Sequence, residues 1–122
     1  MDSVYDLYRR GCELLGHGDY QAAIVPLERA RKLEPGKSSI REALARALFH
    51  AQRYEAAAAE FGELAAQTPT NDYALFCLGR SMQLLGRHSE ACTPLALACS
   101  LRPERSDYRV YRDRARRDAA RQ

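Results

Sequence analysis

The chain has 122 residues, of which 46% are apolar and 29% charged, and its formal net charge is +3. This composition is typical of a folded globular protein rather than of a disordered chain, and a chain of this length buries about two thirds of the surface that its unfolded form exposes. No run of residues approaches the ~18 apolar residues of a membrane span, and the acidic N-terminal segment is unlike a secretory signal or a transit peptide.

The positive charge is confined to the C-terminal segment. Residues 1–103 carry 12 basic and 12 acidic side chains, whereas residues 104–122 carry seven arginines and four acids. Any function that depends on net positive charge would therefore depend on this last segment.

The four cysteines show neither a Cys-x-x-Cys motif nor the spacing of a zinc site with histidine. They are Cys12, Cys77, Cys92 and Cys99. We therefore expect free thiols, no metal, and a location in a reducing cytoplasm.

The first predicted elements are two helices joined by a short turn. Apolar residues recur at three- and four-residue steps from Val4 to Gly16, which predicts the first helix. The second runs from about Tyr20 to Leu33, with Asp19 as its predicted N-cap. Pro35 ends it, because proline disfavours helical structure in the residue before it.

The same arrangement follows twice more along the chain. In the second copy, Ser39 and Glu42 have the spacing of a capping box, and Tyr54 begins the second helix. The third copy opens near Asn71 and turns at residues 85–88. We therefore predict three copies, at about residues 4–37, 38–71 and 72–105.

A constant interval of 34 residues separates the equivalent positions of these copies. The closing prolines are Pro35, Pro69 and Pro103. Alanines twelve positions before them are Ala23, Ala57 and Ala91. Three copies in phase identify the chain as an array of repeats, and such arrays stack their units around a continuous core.

Residues 106–120 predict a seventh helix, capped by Ser106 or Asp107. A terminal repeat leaves its apolar face bare unless an amphipathic element covers it, so we expect this helix to act as a cap. Its predicted apolar side consists of Tyr108, Val110, Tyr111 and Ala115.

The repeat pattern resembles the tetratricopeptide repeat family over residues 4–105. The first copy has the family's small residue, aromatic residue, alanine and closing proline at Gly11, Tyr20, Ala23 and Pro35. The sequence departs from the family's pattern at Arg41, Leu64 and His88. The resemblance implies an all-α fold: a right-handed superhelix, or solenoid, of three helix-turn-helix repeats with seven helices, in a single domain of residues 1–122.

Small residues predict where the two helices of a repeat cross closely. The expected pairs are Gly11 with Ala23, Ala45 with Ala57, and Gly79 with Ala91. Pro26 and Pro94 stand at equivalent places inside the second helices, where the middle copy has Glu60. We expect each proline to bend its helix, because it removes a backbone hydrogen bond.

The resemblance implies a non-catalytic scaffold or adaptor, whose concave groove of first helices binds a peptide or partner protein. The family's groove positions correspond here to Tyr5, Tyr8, Cys12, Glu42, Arg46, Phe49, Tyr73, Phe76, Cys77 and Arg80. Aromatic residues and arginine are common anchors at interfaces, so we expect a partner with apolar anchors and an acidic group, which Arg46 and Arg80 would select. Alternatively, single rings of this set pack on a neighbouring helix.

One subclass of the family binds the acidic tail of heat-shock chaperones through lysine, asparagine and arginine side chains. The corresponding positions here are Tyr8, Cys12, Ala43, Tyr73 and Cys77. Since none of these side chains is cationic, we expect no binding of a chaperone tail.

Two other functions stay open at this point: a homo-oligomerising structural module, and RNA or other nucleic-acid binding through the arginine-rich last helix. Interleaved acids argue against nucleic acid, because phosphate binding favours an unbalanced basic face. An enzyme, a cofactor and a membrane partner are not expected. The three histidines, His17, His50 and His88, lie in turns or at a helix end, and we find no catalytic motif.

Overall fold

The computed structural model describes residues 2–122, which form seven α-helices and, within this range, no β-strand. The helices are α1 (Val4–Gly16), α2 (Tyr20–Leu33), α3 (Ser38–His50), α4 (Tyr54–Gln67), α5 (Asp72–Leu84), α6 (His88–Leu101) and α7 (Ser106–Ala119). The predicted all-α class and the number of helices are therefore confirmed.

The chain divides into two compact units, one through Glu60 and the other from Phe61 to Gln122. Their boundary lies inside α4, so the units do not coincide with the 34-residue repeats. In the first unit α1 packs on α2, and α2 packs on α3; in the second, α5 packs on α6, and α6 packs on α7. The prediction of a single domain stays a prediction.

Each unit has its own buried core. In the first, Leu7, Ala30 and Ile40 form a buried cluster. The second unit contains two clusters. Their buried members are Leu75, Ala98, Cys99 and Tyr108 in one, and Ala91, Leu95 and Ala115 in the other.

The turns inside the repeats share one backbone design at 34-residue intervals. In the first repeat, the amide of Asp19 donates to the carbonyl of Leu14 over 2.9 Å. Equivalent bonds close the second turn, from Arg53 to Leu48, and the third, from Arg87 to Met82. The residue before each of these donors has a positive φ: 81° at Gly18, 64° at Gln52 and 78° at Gly86. Glycine adopts this conformation without a steric penalty, whereas Gln52 does not.

Side-chain capping is less common than the sequence predicts. Asn71 caps α5 as expected, since its side chain accepts a bond of 3.0 Å from the amide of Ala74. Asp19 occupies the N-cap position of α2, but its carboxylate accepts no capping bond within the described chain. The backbone bond from Asp19 to Leu14 closes this turn instead.

The other two predicted caps are wrong because the helices begin earlier than expected. Helix α3 starts at Ser38, with Lys37 in extended conformation at the N-cap, so Ser39 and Glu42 form no capping box in the described chain. Helix α7 starts at Ser106, which puts Arg105 at its N-cap rather than Ser106 or Asp107.

Close helix packing in the first and third repeats requires a glycine, but its nearest neighbour is a leucine. A Cβ atom placed on Gly11 would lie 2.4 Å from Cγ of Leu27, and one placed on Gly79 would lie 2.5 Å from Cγ of Leu95. These distances are far below van der Waals contact. The nearest side chain to each glycine is thus Leu27 or Leu95, and the predicted pairings with Ala23 and Ala91, which are both fully buried, stay a prediction.

The middle repeat contains an ion-paired cluster of three side chains. Glu60 is only 6% exposed, and its carboxylate accepts from Arg31 at 2.7 Å and from Arg41 at 2.8 Å. Arg41 also donates to the carbonyl of Pro35. The departure of Arg41 from the family's apolar residue thus has a structural partner, Glu60, which stands where the other repeats have proline.

The two prolines inside helices are buried. Pro26 lies within the continuous helix α2, and Pro94 lies within α6. The predicted bends at these residues stay a prediction.

We predict that Gly11→Ala lowers the free energy of unfolding by about 1 to 3 kcal/mol, because the added methyl group forces Leu27 to move. Gly62→Ala is the matched control. It lies inside α4, and among the described residues no atom is within 4 Å of an added Cβ, so it should be neutral or stabilise by up to about 1 kcal/mol. Urea denaturation measures the free energy of unfolding of the two variants. Equal values for Gly11→Ala and Gly62→Ala would contradict this packing.

We predict that Glu60→Ala lowers the free energy of unfolding by about 3 to 5 kcal/mol. The reason is that the largely buried side chain of Arg41 loses the carboxylate that neutralises it. The double variant Arg41→Leu/Glu60→Ala should be less destabilised than Glu60→Ala alone, since leucine at residue 41 matches Leu7 and Leu75. A double-mutant cycle by urea denaturation measures the coupling. If the two changes are additive, the ion pair is not the reason for the cost.

Candidate functional site

Four of the predicted groove residues lie close together in the first unit. Tyr8 and Cys12 lie one turn apart on α1. Glu42 and Arg46 of α3 are near enough to act electrostatically on Tyr8. The hydrogen bond with Cys12, followed by partial burial, raises the pKa of the Tyr8 hydroxyl above its ordinary value. This surface therefore carries a neutral tyrosine, a thiol and one charge of each sign.

Next to these residues the first unit contains a pocket of about 260 Å³. Its lining residues are Val4, Tyr5, Tyr8, Glu34, Lys37, Ser39 and Ile40. Pockets for drug-sized ligands range from about 300 to 1,000 Å³, so this one is better suited to a single side chain.

The rim of the pocket is both aromatic and charged. Tyr5 is 67% exposed, with the guanidinium of Arg9 at 5.8 Å from its ring centroid. Lys37 and Glu34 lie 4.0 Å apart and form an exposed ion pair. An apolar side chain in the pocket would thus have polar groups beside its backbone.

Phe49 belongs to the end of α3 and packs within its own unit. Its ring meets His50 edge-on at a centroid distance of 5.8 Å, and Tyr54 at 5.5 Å. The ring is half-buried. This arrangement favours the alternative in which a predicted groove residue packs on neighbouring side chains.

The predicted residues of α5 differ in how accessible they are. Tyr73 is 38% exposed, with its ring edge-on to Phe61 at 6.1 Å. Cys77 is buried, and its carbonyl accepts a bond of 2.8 Å from the hydroxyl of Ser81. Tyr73 is therefore partly exposed at the surface, whereas the thiol of Cys77 is largely covered.

Phe76 and Arg80 of α5 hold the last helix in place. The ring of Phe76 stacks on Tyr108 at 4.5 Å and meets Tyr111 edge-on at 5.6 Å. The guanidinium of Arg80 lies 4.0 Å from the ring centroid of Tyr111 and donates to Gln83. Cation–π contacts of this kind are attractive, so both residues help to dock α7.

Tyr108 provides a further polar attachment for α7. It is almost completely buried, and its hydroxyl donates to the carboxylate of Asp72 at 2.7 Å. Burial, followed by this hydrogen bond, raises the pKa of Tyr108 well above its ordinary value. The expected capping role of α7 thus has a specific structural basis in the second unit.

One residue of the predicted apolar side of α7 is placed differently. Tyr108, Tyr111 and Ala115 follow the steps of one helix face and are turned toward the core. Val110 lies off this face and is 52% exposed. Its assignment to the buried side was wrong, because an apolar residue type alone does not indicate which face is buried.

In residues 2–122 no group of three potential metal ligands occurs, and the four cysteines form no disulfide in that range. His50 stacks on Tyr20, and His88 lies 4.0 Å from Asp118. Of the helices in this range, none has the length and apolar character to cross a bilayer.

Comparison with known proteins identifies the repeat. The sequence pattern of the family described as "Tetratricopeptide repeat" matches residues 8–74. No curated protein matches the sequence significantly.

Several solved structures are similar to the chain in fold. A MamA structure from MSR-1 has a TM-score of 0.90 at 22% identity, covering 98% of this chain and 68% of that one. MamA from Desulfovibrio magneticus RS-1 has a TM-score of 0.83 at 20% identity, covering 98% and 73%. The chain therefore spans about two thirds to three quarters of the length of these two structures.

A third similar structure is the first TPR of Spaghetti (RPAP3) bound to the HSP90 peptide SRMEEVD. Its TM-score is 0.86 at 17% identity, covering 96% of this chain and 93% of that one. At this level of identity the likeness shows the fold. Since the family's pattern covers more than half of the sequence and the fold agrees, the chain belongs to the tetratricopeptide repeat family.

Proposed function

We propose that this protein is a non-catalytic scaffold whose first helices, α1, α3 and α5, bind a peptide or an extended segment of a partner protein. The observation that carries the proposal is the surface of the first unit. It combines an exposed aromatic ring, a pocket sized for one side chain, and an exposed arginine. The Spaghetti structure supports it, because that similar fold is bound to a peptide.

The chemistry of this surface specifies the kind of partner. An apolar side chain would enter the pocket between Tyr5, Tyr8 and Ile40, where it gains the free energy of leaving water. The exposed guanidinium of Arg46 would bind a carboxylate of the partner, and the neighbouring Glu42 would limit how many acids are accepted there. The partner segment therefore has an apolar anchor and an acidic group.

The same residues argue against a chaperone tail such as SRMEEVD. That peptide carries three acids, and its carboxylates need several cationic partners. In this chain the positions that supply such cations elsewhere in the family hold Tyr8, Cys12, Ala43, Tyr73 and Cys77. The part of the partner that binds this surface of the first unit is thus less acidic and more apolar than a chaperone tail.

Self-association is the second candidate function, and exposed apolar residues of α2 favour it. Val25 is 64% exposed and Leu33 is 59% exposed. Light scattering on the free protein over a concentration series separates a dimer from a monomeric scaffold, and it precedes any binding experiment.

We predict that Tyr5→Ala/Arg46→Glu reduces capture of partner proteins from a lysate of the source organism by about tenfold or more, because aromatic residues and arginine dominate interface energies. Leu97→Ala/Arg29→Glu is the control. It truncates an exposed apolar side chain of α6 and makes the same charge change at an exposed position of α2. Quantitative mass spectrometry of the captured proteins provides the measurement, and equal capture by the two variants would refute the proposed surface.

A further inference from the structure

The buried residues of α7 follow the pattern expected of the first helix in a fourth repeat. Tyr108 and Ala115, its buried residues, stand 34 positions after Ala74 and Ser81, which are buried in α5. Like α5, α7 packs on α6. The last helix thus continues the repeat register, although no second helix follows it within residues 2–122.

The same register relates the exposed residues of α7 to predicted groove residues. Val110 stands 34 positions after Phe76, and Arg114 stands 34 positions after Arg80. Arg80 itself follows Arg46 by 34 residues. Arginine therefore recurs at the same position of the repeat in α3, α5 and α7, and Arg114 is the arginine of the last helix.

Tyr111 holds two of these arginines near each other. The guanidinium carbon of Arg80 lies 4.0 Å from its ring centroid, and that of Arg114 lies 5.0 Å from it. The two carbons cannot be farther apart than the sum of these distances. Two positive charges held this close in partly exposed positions favour a negatively charged partner.

The acids of the C-terminal segment do not neutralise this surface. Each of the four pairs with another basic side chain: Glu104 with Arg102, Asp107 with Arg105, Asp113 with Arg112, and Asp118 with Arg121. Arg114 and Arg117 are exposed, and neither forms an ion pair with any acid of the described chain. The net positive charge of the segment is therefore concentrated on side chains that can accept a partner.

Val110, Arg114 and Arg117 follow one another at steps of four and three residues, which places them on one side of α7. We call these three residues the arginine face. It combines an apolar residue with two arginines over about two helical turns, a length of roughly 10 Å.

We propose that the arginine face binds an acidic segment of the protein partner, with an apolar residue of that segment against Val110 and its carboxylates on Arg114 and Arg117. This inference rests on the proposed function, because it assigns to the last helix a further contact with the same protein partner. The face spans only about two helical turns, which is short for a surface that follows a nucleic-acid strand. A short run of glutamate or aspartate residues matches its charge and length.

The test uses a fluorescein-labelled peptide of four Glu-Glu-Leu triplets and measures its affinity by fluorescence anisotropy. Arg114→Glu/Arg117→Glu should weaken binding by about tenfold or more. The matched control is Arg109→Glu/Arg116→Glu, which makes the same charge change at two other arginines of the same helix. Arg109 comes one residue before Val110 and Arg116 one residue before Arg117, so each lies about 100° around the helix axis from that residue of the arginine face. The control should change the affinity less than threefold, and thermal melting checks that both variants are folded.

Three results would overturn the inference. The first is that the wild-type protein shows no saturable binding of this peptide. The second is an equal loss of affinity in both double variants, which would indicate a general charge effect. The third is tighter binding of a twelve-nucleotide single-stranded RNA than of the peptide, with the loss again confined to Arg114→Glu/Arg117→Glu, which would assign the face to nucleic acid.

Measuring Tyr5→Ala/Arg46→Glu with the same peptide separates this inference from the proposed function. If only Tyr5→Ala/Arg46→Glu weakens binding, the first helices bind the peptide and the arginine face does not. If only Arg114→Glu/Arg117→Glu weakens binding, the acidic segment binds α7 alone and the proposed surface of the first unit is wrong.

Discussion

The structure depends on the close approach of the two helices within a repeat, which glycine permits in the first and third copies. At Gly11 and Gly79 the leucine side chain of the second helix occupies the volume that a Cβ atom would need. Protein interiors are packed at crystal-like density, so this contact fixes how the two helices lie against each other. Once it is fixed, the 34-residue interval determines which side chains are buried and which remain exposed.

In the middle repeat an ion pair replaces two of the apolar residues found in the other copies. Glu60 and Arg41 stand where the other copies have proline and leucine. Glu60 is buried, the side chain of Arg41 is only 12% exposed, and the two are hydrogen-bonded to each other. Removing two charges from water is costly, so such a pair depends on further hydrogen bonds. The bonds from Arg31 to Glu60 and from Arg41 to the carbonyl of Pro35 supply most of them, while Nε of Arg41 has no partner in the described chain.

The sequence alone predicted the seven helices almost to the residue, because apolar periodicity and the 34-residue interval report directly on helix faces and turns. Its predicted caps at Ser39 and Ser106 were wrong, since a helix that starts one or two residues earlier has a different residue at its N-cap. The pair of Arg41 and Glu60 was also missed, because each residue taken singly is only a departure from the repeat pattern. The two residues are 19 positions apart in sequence, so only the packing of their helices brings them into contact.

The candidate site was harder to predict, because exposure depends on what each helix packs against. Tyr5 and Arg46 are exposed, in keeping with a binding role, whereas Phe76 is stacked against Tyr108 of the last helix. Val110 shows the opposite case, an apolar residue that the orientation of α7 leaves in solvent. The side chains that the repeat spacing keeps buried build the scaffold, and exposed side chains of the first helices and of α7 are those we assign to the partner.

The central claim is that partners bind the first helices and α7 rather than the second helices of the repeats. The most direct test is a titration of the ¹⁵N-labelled protein with the Glu-Glu-Leu peptide, followed by amide chemical shifts. The account predicts that the largest changes occur at Tyr5, Arg46, Arg80 and Arg114. Changes concentrated on α2 and α6, around Val25 and Leu97, would contradict it.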